Sequence, residues 1–246
     1  MQRHRFFRLD ALEVVFVVAL AVVVTWTAAR QHYSVPAEAR AFRALYGRSV
    51  DSQYDEELFI RDFFNGRRAG FFVDVGANDY RKYNNTYYLE ERLGWSGIAV
   101  DALGEFAADY ARYRPRTRFF SFFVSDTSDA RARFWASRNS LLSSGERDVA
   151  GHDSTAREVP TIRLDDLLTR EGVNKVDFLT MDIELAEPKA LAGFDLMRFR
   201  PDLVCIEAHL PVRQTILDYF TRRGYVVVGR YLRADDHNLY FTPLAR

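Results

Sequence analysis

The 246-residue chain contains a single cysteine, Cys205, so no disulfide can form within it. Cys205 lies inside the apolar run DLVCIEAH, where a small core side chain belongs. Neither charge is in excess, because 34 Lys and Arg balance 34 Asp and Glu. A nucleic-acid partner normally leaves a basic surplus, so that class of partner is disfavoured. No internal repeat or low-complexity tract interrupts the sequence. The most telling scarcity is glycine after the first apolar run of the soluble part. Residues 71–78 read FFVDVGAN, and only Gly76 stands where a dinucleotide fold carries G-x-G-x-x-G. A pyrophosphate there would also face Asp74 and Asp79, so NAD is a poor fit and an NAD-dependent oxidoreductase is disfavoured.

What is present is an apolar run that breaks into an acid-flanked turn, the handover from a buried parallel strand to a helix beside a nucleotide. Acids suit a cationic or zwitterionic ligand. S-adenosylmethionine carries a sulfonium and an amino group, so the turn favours a methyl donor. Hydrophobic residues make up 48% of the chain and aromatics 15%, with 20 Phe and 13 Tyr, enough for a sizeable core. The length fits one α/β domain plus a short extra segment.

That extra segment is N-terminal. Leu12–Ala29 is apolar apart from Glu13 and two threonines, and eighteen helical residues span about 27 Å, just under the ~30 Å hydrocarbon core. The expectation is a single-pass membrane anchor over residues 1–30, with Trp26 as an interfacial residue. A cleaved signal peptide ending near Thr27-Ala28-Ala29 and a buried core helix are the competing readings. Arg3, Arg5 and Arg8 before the span nearly balance Arg30, Arg40, Arg43 and Arg48 after it, so charge does not set the orientation. Supply of the donor favours a cytosolic catalytic domain.

Residues 31–68 read as a juxtamembrane linker and covering helices, with helical spacing over Pro36–Tyr46 and Asp55–Phe64. From residue 69 strands and helices alternate, the pattern of a mostly parallel α/β sheet. Strands are expected at Phe71–Val75, Gly97–Val100, Arg118–Val124, Val176–Met181 and Leu203–Ile206. Helices are expected near Thr86–Leu93, Glu105–Tyr113, Leu164–Glu171, Pro188–Leu191 and Arg213–Arg223. Gly224–Phe241 fits a terminal antiparallel hairpin. The polar stretch Ser137–Glu158 reads equally as a lid over the site or a mobile insertion.

In open parallel sheets ligands sit beyond the carboxyl ends of the strands. Strand ends therefore nominate the turn from Asp74 to Asp79, then Asp101, where an acid can accept ribose hydroxyls, and Ser125-Asp126, where a side chain can bond an adenine amino group. Met181–Pro188 (MDIELAEP) is the densest group. Three carboxylates in six residues, Asp182, Glu184 and Glu187, need a cation, shared protons or water. One is expected to face the sulfonium and another to activate a substrate hydroxyl. Glu207-Ala208-His209 adds a polar pair at the same edge, with His209 a candidate base or metal ligand. Arg112, Arg114, Arg116 and Arg118 form an alternating basic strip, either a contact for lipid or phosphorylated acceptor or a solvated connection. Asp235-Asp236-His237 reads as a charged turn or, alternatively, a divalent-ion site, and no residue is assigned to a metal.

FVDVGAN, GWSGIAVD, FFVSD, IRLDDLL, VDFLTMDIELAEPKAL with Gly193, RPDLVCIEAH and RRGY, in this order from about residue 70 to 228, resemble the FkbM-type methyltransferases. The resemblance implies a class I, Rossmann-like methyltransferase domain over residues 69–246, preceded by the expected transmembrane helix. It also implies S-adenosylmethionine as cofactor and methylation of a hydroxyl on a sugar, glycan, lipid-linked or other small-molecule acceptor. By resemblance Asp74, Gly76, Asn78, Asp101, Ser125, Asp126 and Asp182 fall on donor-binding positions, with Ala77 and Asp79 completing the turn. The NNTYYLE form resembles a subgroup in which Asn85 and Thr86 cap the first helix and face the donor. Glu184, His209 and Glu187 are the catalytic candidates. The chain departs from the family pattern at Asp79-Tyr80, which replaces a second glycine, at Asp101-Ala102 in place of Glu-Pro, and at Leu185, where glycine is usual. The last departure supports an alternative, a catalytically weakened membrane-tethered scaffold that keeps the fold.

Overall fold

The computed structural model describes residues 37–245. The expected membrane anchor lies outside these residues, and among the described residues no helix is long and apolar enough to cross a membrane.

Seven strands form the main sheet: β1 (Phe71–Val75), β2 (Ser96–Asp101), β3 (Thr117–Ser121), β7 (Phe178–Met181), β8 (Leu203–Glu207), β9 (Tyr225–Val227) and β10 (Asn238–Pro243). Their order is β3-β2-β1-β7-β8-β10-β9. The first five strands in this order run parallel, and β10 is antiparallel to both β8 and β9. The parallel strands are near-continuous apolar runs because helices cover both faces. Val73, Ile98, Leu179, Val204 and Leu239 belong to the core on one face. The expected terminal hairpin is present, and its registers pair Phe241 with Val204 on one side and with Val227 on the other.

The helix Glu56–Phe64 belongs to this same body. It buries Leu58, Phe59 and Ile60, and Phe59 meets the rings of Tyr231 and Tyr240 at 5.3 and 5.5 Å.

Two departures from the sequence expectation concern the middle of the chain. The strand expected over Arg118–Val124 breaks at Phe122, leaving β3 in the main sheet and β4 (Phe123–Val124) in a second, three-stranded sheet with β5 (Arg131–Ala136) and β6 (Thr155–Ile162). Of the stretch read as a lid or insertion, only the final residues 155–158 are therefore strand, and β5 ends just before it. Only the last four residues of β6 touch the core, and its first four are exposed, so the apolar alternation that marks a strand is missing there.

The chain leaves β1 toward β2 and β3 in one direction and returns through β7 and β8 in the other. The strand order thus reverses between β1 and β7, which opens a crevice at their carboxyl ends.

Candidate functional site

The crevice begins at Gly76, whose φ is +83° and whose absent Cβ would sit 1.8 Å from the Asp182 carbonyl oxygen. No other residue type fits that approach between the β1 and β7 turns. The Gly76 and Ala77 amides donate to the Val100 carbonyl at 2.9 and 3.2 Å, tying the turn to β2. Asp101 at the end of β2 then accepts from the Asn78 amide (2.9 Å) and the Leu103 amide (2.8 Å). Burial raises the Asp101 carboxyl to about 6. Asn78 adopts φ +48°, and its side-chain oxygen accepts from Ser140 at 3.1 Å.

The resulting cleft has a volume of ≈ 670 Å³ including its mouth, in the range of small-molecule sites. Phe123, Val124 and Phe134 of the second sheet form an apolar wall, while Asp101, Asp182 and Glu184 supply carboxylates. No Lys, Arg or His lines it among the described residues.

A second cavity of ≈ 780 Å³ shares Gln53, Leu141, Asp182 and Glu184 with the first and adds Tyr54, Glu207, His209 and His237. His209 Nε2 lies 3.0 Å from Glu207 Oε1 and 3.6 Å from Glu184 Oε2. Burial, reinforced by Asp182, raises Glu184 to about 7. Glu207 is raised far above the usual carboxylate range, first by burial and then by Asp182 and Glu184. Asp182 keeps an exposed face toward the cavities, yet protein encloses its carboxyl on the other sides, and this desolvation raises it as well. Three acids around one opening cannot all ionise freely without a cation.

Of the sequence candidates, Gly76, Asn78, Asp101, Asp182, Glu184 and His209 meet at these two cavities. The others do not line them. Asp74 turns into a buried knot beneath the site, where its Oδ2 accepts from Thr86 Oγ1 (2.8 Å) and Asn84 Nδ2 (3.4 Å). Arg114 enters the same knot, bonding Glu90 (2.6 Å), the Tyr80 carbonyl (2.8 Å) and Thr86 (3.1 Å). Thr86 is thus a core group rather than a ligand-facing one, and Arg114 is no part of a basic surface strip. Asn85 donates to Thr180 at 3.2 Å. Ala77 packs with Ala99 and Tyr110. Asp79 accepts from the Arg81 and Lys82 amides at 2.9 and 2.7 Å, so it closes its own turn. This turn and the knot together hold the long loop that stands in place of a second glycine.

Ser125 is buried against Gly193, whose Cβ would meet the Ser125 carbonyl oxygen at 2.3 Å. Asp126 is exposed and bonds Ser125 and Thr127. The break at Phe122 precedes both, since the chain then joins the second sheet through Phe123–Val124, and these two residues face the cleft instead. Glu187 is fully buried, and its Oε1 accepts from the Ile183 amide at 2.9 Å, which pins the 183–187 turn. Within that turn Glu184 and Leu185 have φ of +53° and +75°, so a leucine occupies a left-handed conformation that glycine adopts more readily.

Sequence reasoning underweighted Glu207, although its strand-end position made it visible. It missed Gln53 and Tyr54, which precede the first strand and reach the site only through tertiary packing. Ser144 Oγ donates to the Glu184 carbonyl at 2.8 Å, so part of the 137–158 segment does border the site.

No curated protein matches the sequence. Among solved structures, a candidate RNA methyltransferase from Pyrococcus horikoshii is 13% identical, with 78% of this chain and 83% of that chain covered at a TM-score of 0.40. A TehB-like SAM-dependent methyltransferase from Corynebacterium glutamicum is 14% identical, with 88% and 99% covered at a TM-score of 0.45. The family profile of the FkbM methyltransferase domain matches residues 74–227, from within β1 to the end of β9, and the chain belongs to that family.

Proposed function

We propose that the protein uses S-adenosylmethionine to methylate an oxygen of a hydroxylated small molecule or glycan. The observation that carries this reading is the charge of the cleft, with three carboxylates and no basic side chain among the described residues lining it. A sulfonium with an α-amino group is stabilised there, whereas a diphosphate is repelled. Gly76, Asn78, Asp101 and Asp182 would hold the donor, and the Phe123–Phe134 wall suits a flat apolar ring. When bound, S-adenosylmethionine supplies an electrophilic methyl group.

The chain's own residues do the rest. The shared walls of the two cavities hold donor and acceptor side by side, and such positioning is worth up to about 7–11 kcal/mol of barrier. Glu184 lines both cavities and so can reach a hydroxyl proton of the acceptor, and His209, 3.6 Å from it, can relay the proton outward. Asp182 supports the positive donor rather than the proton transfer, and Glu187 keeps the turn in place.

The test pairs calorimetric titration of S-adenosylmethionine with labelled-methyl transfer to glycan and lipid extracts. Glu184→Gln is expected to lower transfer by about 10²–10⁴-fold, with a smaller loss of donor affinity because Asp101 and Asp182 remain. Absence of donor binding to the wild-type chain, or full turnover by Glu184→Gln, would overturn the proposal. Leu185 at positive φ favours one second reading, a weakened enzyme that binds donor without turnover; the same two measurements separate them. Localisation is part of the proposal. Leu12–Ala29 tethers the catalytic domain on the cytosolic side, and deletion of residues 1–30 is expected to move the protein from the membrane fraction to the supernatant.

A further inference from the structure

We infer that Glu184, Glu207 and His209 form a binding site for a divalent cation of the manganese or zinc class. One ligand atom from each lies within 4.8 Å of the other two. The observed edges, 3.0 Å from His209 Nε2 to Glu207 Oε1 and 3.6 Å to Glu184 Oε2, match the ligand-to-ligand spacings around a cation bound at about 2.1 Å. A hydrogen bond accounts for this geometry only in part, because one imidazole N–H cannot serve both carboxylates fully.

An independent observation points the same way. Glu207 is buried, its Oε1 faces His209, and its Oε2 has no hydrogen-bonding partner, so a cation held by both oxygens would satisfy the carboxylate. Glu207 is also the junction of the cluster, because its carboxylate groups within 4.8 Å with those of Asp182 and Glu187 as well. A buried carboxylate oxygen left without a donor is costly unless a cation or proton meets it. The competing partner is a proton shared with Asp182, whose side chain bonds Glu207, while Glu187 uses one oxygen for the Ile183 amide and leaves the other unpartnered.

One imidazole with carboxylates selects a borderline divalent ion over calcium, and the exposed side of His209 leaves room for water or an acceptor oxygen. The site lies in the second cavity, so a cation there would engage Glu184 and His209 as ligands and, in place of their proton transfer, would polarise and orient a hydroxyl of the acceptor. That role rests on the methyl-transfer reading. Binding of the cation does not.

The experiment uses the full chain, stripped with chelator and titrated with Mn²⁺ by calorimetry and by loss of the free-ion paramagnetic resonance signal. The wild type is expected to take up one equivalent. Glu207→Gln and His209→Ala are each expected to weaken it at least about tenfold, as loss of a direct ligand should exceed the 10–100-fold effects of supporting residues at their lower end. Asp236→Asn, in the separate acid-histidine turn, is expected to leave affinity unchanged, and thermal melting checks that each variant is folded. No uptake by the folded wild type at millimolar Mn²⁺, or equal uptake by folded His209→Ala and Glu207→Gln, overturns the site. Donor titration of the same samples tells the two failures apart. Donor binding without Mn²⁺ uptake removes the cation site alone, and Mn²⁺ uptake without donor binding removes the methyl-transfer reading alone.

Discussion

Replacing Gly76 with alanine isolates the contact on which the cleft depends. Two effects add. At φ +83° an L-residue loses about 1–2 kcal/mol relative to glycine. A methyl group 1.8 Å from the Asp182 carbonyl oxygen must also push the β1 and β7 turns apart, and overpacking of that kind costs about 1–3 kcal/mol. The sum is about 2–5 kcal/mol, which for a domain of this size lowers the melting temperature by roughly 4–20 °C. Gly172→Ala is the control. Its φ is +69° with nothing within 4 Å of the added methyl, so only the backbone effect remains, and a loss of about 1–2 kcal/mol or roughly 2–8 °C is expected. Calorimetry and differential scanning measure both quantities. Donor affinity should fall at least about tenfold in Gly76→Ala, a change of about 1.4 kcal/mol in binding free energy, and stay constant in Gly172→Ala. If the two variants melt within about 2 °C of each other and both keep donor affinity, the close approach of the two turns has no bearing on the site.

Three further outcomes follow from particular contacts. Leu185→Gly relieves the left-handed leucine, by about 1–2 kcal/mol, against the greater unfolded-state freedom of glycine, about 0.5–1 kcal/mol; stability should be unchanged or rise by up to about 1 kcal/mol in urea titration, and a clear loss would mean the side chain packs more strongly than its half-buried position suggests. Arg114→Met leaves Glu90 and Asp74 without their buried counter-charge, and a loss of about 3–5 kcal/mol is expected by the same assay. The third outcome concerns pH. Burial raises Asp74 and Asp101 to about 6 and Glu56 to about 7. The folded state therefore holds more protons than the unfolded chain between about pH 4 and 7. The associated stabilisation is complete below the unfolded carboxylate values, near 4, and is lost as pH rises through 6–7. Melting temperature should be higher at pH 5.5 than at pH 7.5. Glu56→Gln, which keeps an acceptor for the Tyr54 amide and removes the charge facing Asp235, should flatten that slope; an unchanged slope would exclude Glu56 as a source.

Local pattern alone determined much of this protein. FFVDVG, SGIAVD, FLTM and LVCIE read as buried parallel strands because each is apolar on both faces. An acid at the end of β1, β2 or β7 was visible as an interruption of such a run. The sequence also showed that Gly76 had no glycine partner and that Leu185 stood where the family has glycine. What it could not contain was direction. Asp74 and Asp101 end neighbouring strands, yet one turns into the Arg114 knot and the other lines the cleft. Which way each carboxylate faces depends on partners distant in sequence, Thr86 and the nearby Arg114 charge for the first and the Asn78 amide for the second. The same holds for Ser125 and Asp126, displaced when the chain breaks at Phe122, and for Gln53 and Tyr54, which carry no signal until the helix after them packs on the sheet. Periodicity reports which face of an element is apolar; only the assembled packing decides which polar groups share a cavity.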